Sequence, residues 1–223
     1  QHAEMFPLIN QEGPNPLELF QIWLNLPKKN KFVEAYYSML WKEQIPVASI
    51  RDKHKREIRV EIVAGILEAY RAPDPAPDSW AASPENEVAI WYIQMEAEAS
   101  WTIPPASEGI NRTLYFFEGD HLQINGTDIL PDHGVEVESH LPLQLTNGSR
   151  EGRILLLQGK PIMEPVANYG PFVMNTMEEI RETYRDYQES QFGGWPWPRP
   201  DMVHPEGKGR FALRADGSEE LPA

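Results

Sequence analysis

Short stretches in which apolar and polar residues alternate recur along this chain and restrict the folds it can adopt. In residues 57–64, Ile58, Val60 and Ile62 alternate with mainly charged residues. Successive side chains of a strand point to opposite faces, so this pattern predicts a half-buried strand. Further candidate strands lie at residues 19–26, 88–95, 113–117 and 154–157. Short strands at this spacing favour an all-β sandwich or barrel.

The clearest turn signal lies between His121 and Leu130. Leu122 and Ile124 alternate with polar residues and are followed directly by Asn125-Gly126. This dipeptide suits a type I′ turn because both central positions need a positive φ. The segment therefore predicts a β-hairpin, and a jelly roll is one fold that joins such hairpins.

A proline-rich segment, Arg71 to Asn86, interrupts the strand pattern with prolines at positions 73, 75, 77 and 84. Proline lacks the amide donor that a strand ladder needs. The composition alone would allow an interdomain linker. The segment is predicted to be a loop.

One helix is predicted, from Met177 to Gln191. Thr176 and Glu179 stand at the spacing of a capping box, in which each side chain accepts a backbone N–H of the first turn. Gly193-Gly194 supplies residues that tolerate a left-handed stop. Apolar and aromatic residues then recur at helical spacing and predict a face that packs against the sandwich: Ile180, Tyr184 and Tyr187, followed by Gln191.

Composition and charge exclude several classes of protein. With 223 residues, 41% of them apolar, the chain can bury a core or two. It contains no cysteine, so disulfides and thiolate chemistry are excluded. No apolar run reaches membrane-spanning length and no secretory signal opens the chain, so neither membrane insertion nor export is indicated, and a cytoplasmic location fits.

The net charge of −14 argues against direct nucleic-acid binding, since phosphates are held by lysine and arginine. Two basic clusters depart from this acidity, Lys28 to Lys31 and Arg51 to Arg56. Both lie next to apolar segments and are predicted to be solvated loops.

His2 and Glu4 are the candidate metal ligands. They are separated by one residue, so on a strand both side chains would point to the same face and could share one ion. Imidazole and carboxylate suit iron, manganese, copper or zinc. Six histidines and 34 acidic residues predict roughly one such spacing by chance, and His204-Pro205-Glu206 in the tail is another.

Two sequence blocks carry a family resemblance. The run PIMEPVANYGPFVMNTMEEIRETYRDYQESQFGGWPW, Pro161 to Trp197, resembles the C-terminal signature of the pirin family, and FQIWLNLPKKNKFVEAYY, Phe20 to Tyr37, resembles its WVNLP segment. His2 and Glu4 stand upstream, where pirins carry a His-x-Glu metal motif. The resemblance covers roughly residues 1–200.

The resemblance implies a fold of two cupin domains, each a jelly-roll sandwich, with the first part of the N-terminal cupin lacking. It implies the rest of the metal-binding N-terminal cupin at residues 1–64, a C-terminal cupin at 65–200, and a tail at 201–223. One Fe(II) is implied per protein, in the N-terminal cupin. Two further histidine ligands of pirins come from a His-Pro-His stretch that this chain does not have.

Two functions follow from the resemblance. One is quercetin 2,3-dioxygenase chemistry on a flavonoid, with His2 and Glu4 as metal ligands and Glu4 as a proton acceptor from the flavonol hydroxyl. The other is a non-catalytic, redox-responsive iron protein that binds a protein partner as a transcriptional co-regulator. The remaining histidines, at positions 54, 121, 133 and 140, are predicted to be ordinary loop or strand-end residues.

Overall fold

The computed structural model of this protein describes residues 2–222. Within that range the chain is mostly β-strand with a C-terminal α-helix, so the predicted all-β class is confirmed. The strands are β1 Val47–Arg51, β2 Glu57–Ala64, β3 Ile66–Leu67, β4 Tyr70–Arg71, β5 Ala89–Met95, β6 Ser100–Ile103, β7 Asn111–Glu118, β8 Leu122–Ile124, β9 Thr127–Ile129, β10 His133–Glu138, β11 Leu143–Asn147, β12 Gly152–Gly159, β13 Ala167–Tyr169, β14 Phe172–Met174, β15 Ala212–Leu213 and β16 Glu219–Glu220. The helix α1 spans Met177–Ser190.

Two compact units divide the described residues. One comprises residues 32–163, and the other comprises the residues up to Lys31 together with those from Glu164 onward. In the first unit, strands β1 and β2 belong to the same sheet as β5. The domain boundary between residues 64 and 65 stays a prediction about the family's two cupins.

A β-sandwich forms the unit of residues 32–163. Its larger sheet has the order β1-β2-β5-β12-β7-β10, and its smaller sheet the order β6-β11-β8-β9. The inner faces of both sheets contribute to one apolar core, which excludes water from the ladders. Its largest fully buried members are Phe116, Ile58, Ile62, Leu67, Ile93, Met95, Ile103, Leu114, Leu122, Leu145, Ile154 and Leu156.

Strand β2 shows how the alternating pattern becomes structure. Ile58, Val60 and Ile62 are 0% exposed, as the alternation predicted. Antiparallel partners lie on both sides of the strand, β1 and β5, so its backbone groups are paired within the sheet. Burying three aliphatic side chains at roughly 1.5–3 kcal/mol each makes a one-residue slip of register unfavourable.

The predicted hairpin is confirmed. Strands β8 and β9 pair with Ile124 opposite Thr127, which leaves Asn125 and Gly126 as the two-residue turn. Their φ angles are 49° and 81°, as a type I′ turn requires. The Asn125 side chain also accepts the Gln144 N–H at 2.9 Å, which ties the turn to β11.

The proline-rich segment is a loop, as predicted, with short 3₁₀ turns at Trp80–Ala82 and Pro84–Asn86. The Trp80 indole N–H donates to the Lys160 carbonyl at 2.8 Å, and the buried Asn86 amide donates to the Trp80 carbonyl at 2.8 Å. These bonds fix the loop to the end of β12.

The helix begins where the sequence predicted and ends one residue earlier. Thr176 and Glu179 form the predicted capping box. The stop differs: Gln191 and Phe192 have positive φ angles before Gly193 does. Gln191 is held there because its N–H bonds to the Tyr187 carbonyl, so the left-handed conformation falls two residues ahead of the predicted glycines.

The aromatic stripe of α1 packs on the hairpin formed by β13 and β14, where the sequence had predicted packing against the sandwich. Phe172 makes edge-to-face contacts with Tyr184 at a centroid distance of 4.8 Å and with Tyr187 at 5.9 Å. Gly170 has a φ of 58°, and a Cβ there would collide with the Tyr184 hydroxyl. The close approach of hairpin and helix therefore requires glycine at this position.

The prediction of a strand at residues 19–26 is wrong for this structure. The segment has no regular secondary structure, and Leu19 and Trp23 remain more than half exposed. An apolar run forms a strand only where a neighbouring strand pairs with it. Among the described residues, no strand is adjacent to this segment in a sheet.

Along residues 2–222, none of the helices is long and apolar enough to cross a bilayer.

Candidate functional site

His2 and Glu4 lie side by side near the start of the chain. The His2 Nε2 and Glu4 Oε1 atoms are 3.2 Å apart, and the side chains are 69% and 62% exposed. The backbone there is not in a strand. The two side chains therefore meet through local geometry and face water.

The donor atoms of this pair suit a metal ion in type and in separation. Two ligands at right angles, each about 2.1 Å from one ion, are about 3.0 Å apart, close to the observed spacing. Their number falls short, since metal sites of this kind use three or four protein donors. No cluster of three or more candidate ligands is found in the described range. Among the described residues, the pair is therefore not a complete iron site.

The other histidines have ordinary surroundings, as predicted. His133 Nδ1 lies 2.9 Å from the Pro131 carbonyl. His121 and His140 lie 3.7 and 3.5 Å from the carboxylates of Asp120 and Glu138. Each pairing is with a close sequence neighbour at the end of a strand, which is typical of a structural role.

His204, the tail counterpart of His2, has a different environment. Its ring packs edge-on against Phe211 at a centroid distance of 4.6 Å, and its backbone N–H donates to the Met5 sulfur at 3.3 Å. The second His-x-Glu stretch therefore has an aromatic neighbour for its imidazole, whereas the first has a carboxylate.

The two sequence blocks that resemble pirins are joined by a charged network. The Lys28 ammonium lies 2.5 Å from Glu179 Oε1, and the Lys28 N–H donates to Glu164 Oε2 at 2.7 Å. Asn175 bridges the two acids, since its side-chain amide donates to Glu164 and its N–H to Glu179, both at 2.9 Å. The Lys31 ammonium donates to Asn25 Oδ1 and to the Val173 carbonyl at 2.7 and 3.0 Å.

This network shifts the protonation of its members. The hydrogen bond from Lys28 lowers the pKa of Glu179, and the same bond raises the pKa of Lys28. The Lys28 N–H and the Asn175 amide lower the pKa of Glu164, while burial lowers the pKa of Lys31. Carboxylates that accept several donors remain charged well below neutral pH.

Sequence reasoning missed this network. The capping box marked Glu179, but nothing local indicated that Lys28 binds it. The Lys28–Glu164 contact spans 136 residues. The predicted turn at residues 28–31 is present as a 3₁₀ turn at Lys28–Asn30, and the Lys28 side chain is 66% exposed. The tertiary contacts of Lys28 and Lys31 were not predicted.

A shallow cavity of about 470 Å³ lies at one end of the sandwich, within residues 85–163. It is lined by carboxylates, one lysine and a few apolar residues: Glu85, Glu87, Ser107, Glu108, Gly109, Ile110, Lys160, Pro161 and Met163. Burial lowers the pKa of Arg112, and the negative charge of Glu87 opposes this shift. Arg112 is buried and donates from Nε to Gln158 Oε1 at 2.7 Å.

Comparison with known proteins supports the fold. A crystal structure of quercetin 2,3-dioxygenase from Acinetobacter baumannii matches with a TM-score of 0.63 and 25% identity, covering 76% of this chain and 55% of that chain. Together with the two facing sheets and the match of residues 90–193 to a cupin-domain family model, this likeness defines the class of the protein: it is a cupin.

The family is narrower than the class. The pirin C-terminal cupin domain matches residues 90–193, which include β7, β12 and α1. The chain contains a pirin C-terminal cupin domain, as the sequence block at residues 161–197 predicted.

Two relatives illustrate the range of that family. A Pseudomonas aeruginosa protein named "Putative quercetin 2,3-dioxygenase" is 32% identical over 82% of this chain and 63% of its own length. A pirin-like protein of Solanum lycopersicum is 31% identical over 86% of this chain and 60% of its own length. The chain thus spans about 60–63% of the length of these relatives.

Proposed function

We propose that this chain takes part in the metal-dependent oxygenation of a quercetin-type flavonol. The observation that carries the proposal is the likeness of the chain to proteins named quercetin 2,3-dioxygenase, both in sequence and in fold. The residues assigned to the metal are His2 and Glu4, with Fe(II) as the ion. A cytoplasmic location belongs to the same proposal.

The roles of the two side chains follow from their chemistry. His2 offers a neutral imidazole nitrogen and Glu4 a carboxylate oxygen, so together they reduce the positive charge of an ion that they share. Glu4, 62% exposed, is reachable by a substrate hydroxyl and is the proposed acceptor of its proton. Two donors leave open positions for ligands that other residues or the substrate supply.

Oxygen uptake and loss of quercetin absorbance by the iron-loaded protein test this proposal. We expect turnover above that of free iron, and we expect His2→Ala and Glu4→Ala each to reduce it at least tenfold. His204→Ala is the matched control and should retain the wild-type rate, because His204 packs on Phe211. Turnover no faster than that of free iron would overturn the proposal.

Iron binding, measured by metal analysis after gel filtration, tests the ligand assignment separately from the proposed activity. Loss of iron from both His2→Ala and Glu4→Ala, with retention in His204→Ala, supports the ligand assignment. Equal iron content in all three variants would remove the two residues from the site. The alternative of a redox-responsive co-regulator stays a prediction.

A further inference from the structure

The two basic clusters of this acidic chain have different surroundings. In the first, Lys28 and Lys31 are used by the network that joins them to Glu179 and Val173. In the second, residues 51–56, the side chains of Arg51, Lys53 and Lys55 are exposed and make no ion pair in the described part of the chain. Four of the 20 lysine and arginine residues fall within these six positions.

The second cluster has a fixed geometry because it forms the tip of the β1–β2 hairpin. Asp52, whose side chain is 2% exposed, accepts the N–H groups of His54, Arg56 and Ser100 at 2.7, 3.0 and 3.2 Å. Lys55 has a φ of 65°, and its N–H donates to the Asp52 carbonyl at 2.9 Å. Lys53 and Lys55 therefore lie in a turn whose backbone is held at both ends, and Arg51 is the last residue of β1 before it.

Arg56 contributes to this rigidity and is not part of the free charge. Its Nη1 donates to the Glu98 carbonyl and lies 3.9 Å from the Asp52 carboxylate. The acids next to the turn are bonded as well: Glu57, opposite Arg51 in the register of β1 and β2, accepts the Ser49 hydroxyl at 2.5 Å, and Glu96 accepts the Glu57 N–H at 2.7 Å. The side chains of Arg51, Lys53 and Lys55 remain exposed beside these acids.

We propose that the tip of the β1–β2 hairpin, through Arg51, Lys53 and Lys55, binds a short acidic segment of a partner protein. Charge complementarity favours an anionic partner at a positive site of fixed shape. The whole chain has a net charge of −14 with this cluster included, so the surface beyond the tip is acidic and limits the size of an anionic partner. A nucleic acid extends its charge far beyond three cations and would be repelled by that surface, whereas a peptide with a few carboxylates would contact the tip alone.

Fluorescence anisotropy with a rhodamine-labelled peptide of sequence Gly-Glu-Glu-Gly-Glu-Glu-Gly tests this inference. The triple variant Arg51→Gln/Lys53→Gln/Lys55→Gln should bind at least tenfold more weakly than the wild type in 20 mM salt. The matched control Lys29→Gln/Lys42→Gln/Lys160→Gln removes three other exposed lysines and the same charge, and it should bind within twofold of the wild type.

Two further arms identify the ligand chemistry. Replacing each glutamate of the peptide by glutamine should abolish binding, and a labelled 20-nucleotide single-stranded RNA should bind more weakly than the acidic peptide. Equal loss in the two triple variants would show a non-specific charge effect and would overturn the proposal. Tighter binding of the RNA, lost in the hairpin variant, would overturn the assignment to a protein segment. Unchanged thermal unfolding of both variants confirms that the comparison is between folded proteins.

Discussion

The sandwich of residues 32–163 and the segment of residues 2–26 use similar apolar patterns with opposite results. In the sandwich, alternating aliphatic side chains face a second sheet and lose all contact with water, as Ile58 and Leu156 do. In the segment, Ile9 is 88% exposed and Leu17 is 64% exposed, and no strand forms. The difference shows that an apolar pattern forms a strand only where a neighbouring strand or sheet packs against it. The candidate metal ligands, His2 and Glu4, lie in the segment that forms no strand.

The largest expected effect separates the two regions by a matched substitution. Leu156→Ala removes a side chain that is 0% exposed and should lower the free energy of unfolding by about 3 kcal/mol, through lost burial and a cavity. Leu17→Ala, at 64% exposure, should change it by no more than about 0.5 kcal/mol. Urea denaturation followed by tryptophan fluorescence measures both. Similar values for the two variants would contradict the distinction.

A smaller effect compares how the backbone of the sandwich and the backbone of residues 2–26 tolerate the replacement of a glycine. Gly65 has a φ of 86°, and a Cβ there would lie 2.5 Å from the Val88 carbonyl oxygen, so Gly65→Ala should cost about 2–3 kcal/mol. Gly13 has no positive φ, and its nearest neighbour is the flexible Asn10 side chain, so Gly13→Ala should cost less than about 0.5 kcal/mol. Thermal unfolding distinguishes them, and a stable Gly65→Ala variant would show that the strand-to-loop turn tolerates a side chain.

The helix cap provides a third and smaller test. Thr176→Ala removes the hydroxyl that accepts the Glu179 N–H at 3.2 Å and should cost about 1 kcal/mol. Thr176→Ser retains the hydroxyl and should restore most of the stability. Hydrogen exchange at residues 177–180 measures the local effect. Equal protection in the alanine and serine variants would mean that the cap does not stabilise the first turn.

The smallest expected effect is the dependence of stability on pH through Glu179. The pKa of Glu179 is lowered by the hydrogen bond from Lys28, so its stabilising effect is present above the ordinary glutamate pKa and is lost as the pH falls through the lowered value. The charged groups around it are Lys28, Lys31, Glu164 and Glu182.

The amide protons of Asn175 and Thr176 report this titration because both donate to Glu179 Oε2. Their NMR shifts should move with a midpoint below the ordinary glutamate value. In Lys28→Gln the midpoint should rise toward that value. An unchanged midpoint would show that the ammonium does not control the carboxylate.

Local patterns predicted much of the sandwich and the start of the helix. The β2 alternation, the Asn125-Gly126 turn and the capping box of α1 each depend on a few neighbouring residues, and each is present as predicted. Features that depend on distant partners were not predictable. The missing strand at residues 19–26 and the Lys28–Glu164 contact both depend on what lies opposite in space.

The candidate site shows the same limit. The His2–Glu4 contact follows from a two-residue spacing, but neither the spacing nor the chain composition indicates which further donors complete a metal site. The free cations of the β1–β2 hairpin could be distinguished from those of Lys28 and Lys31 only by their contacts. The local sequence identifies candidate ligands and cations, and the tertiary contacts decide which of them remain exposed for binding.

Paramagnetic broadening by Mn²⁺ tests the central claim most directly, because it locates a bound divalent ion without requiring turnover. At a tenth of an equivalent of Mn²⁺, we expect the NMR signals of residues 2–5 to broaden first, and we expect this effect to disappear in His2→Ala. His204 should broaden together with residues 2–5, because its backbone N–H lies 3.3 Å from the Met5 sulfur, and its signals too should stay sharp in His2→Ala. Broadening centred on any other group of residues, or unaffected by His2→Ala, would contradict the assignment of the metal to His2 and Glu4.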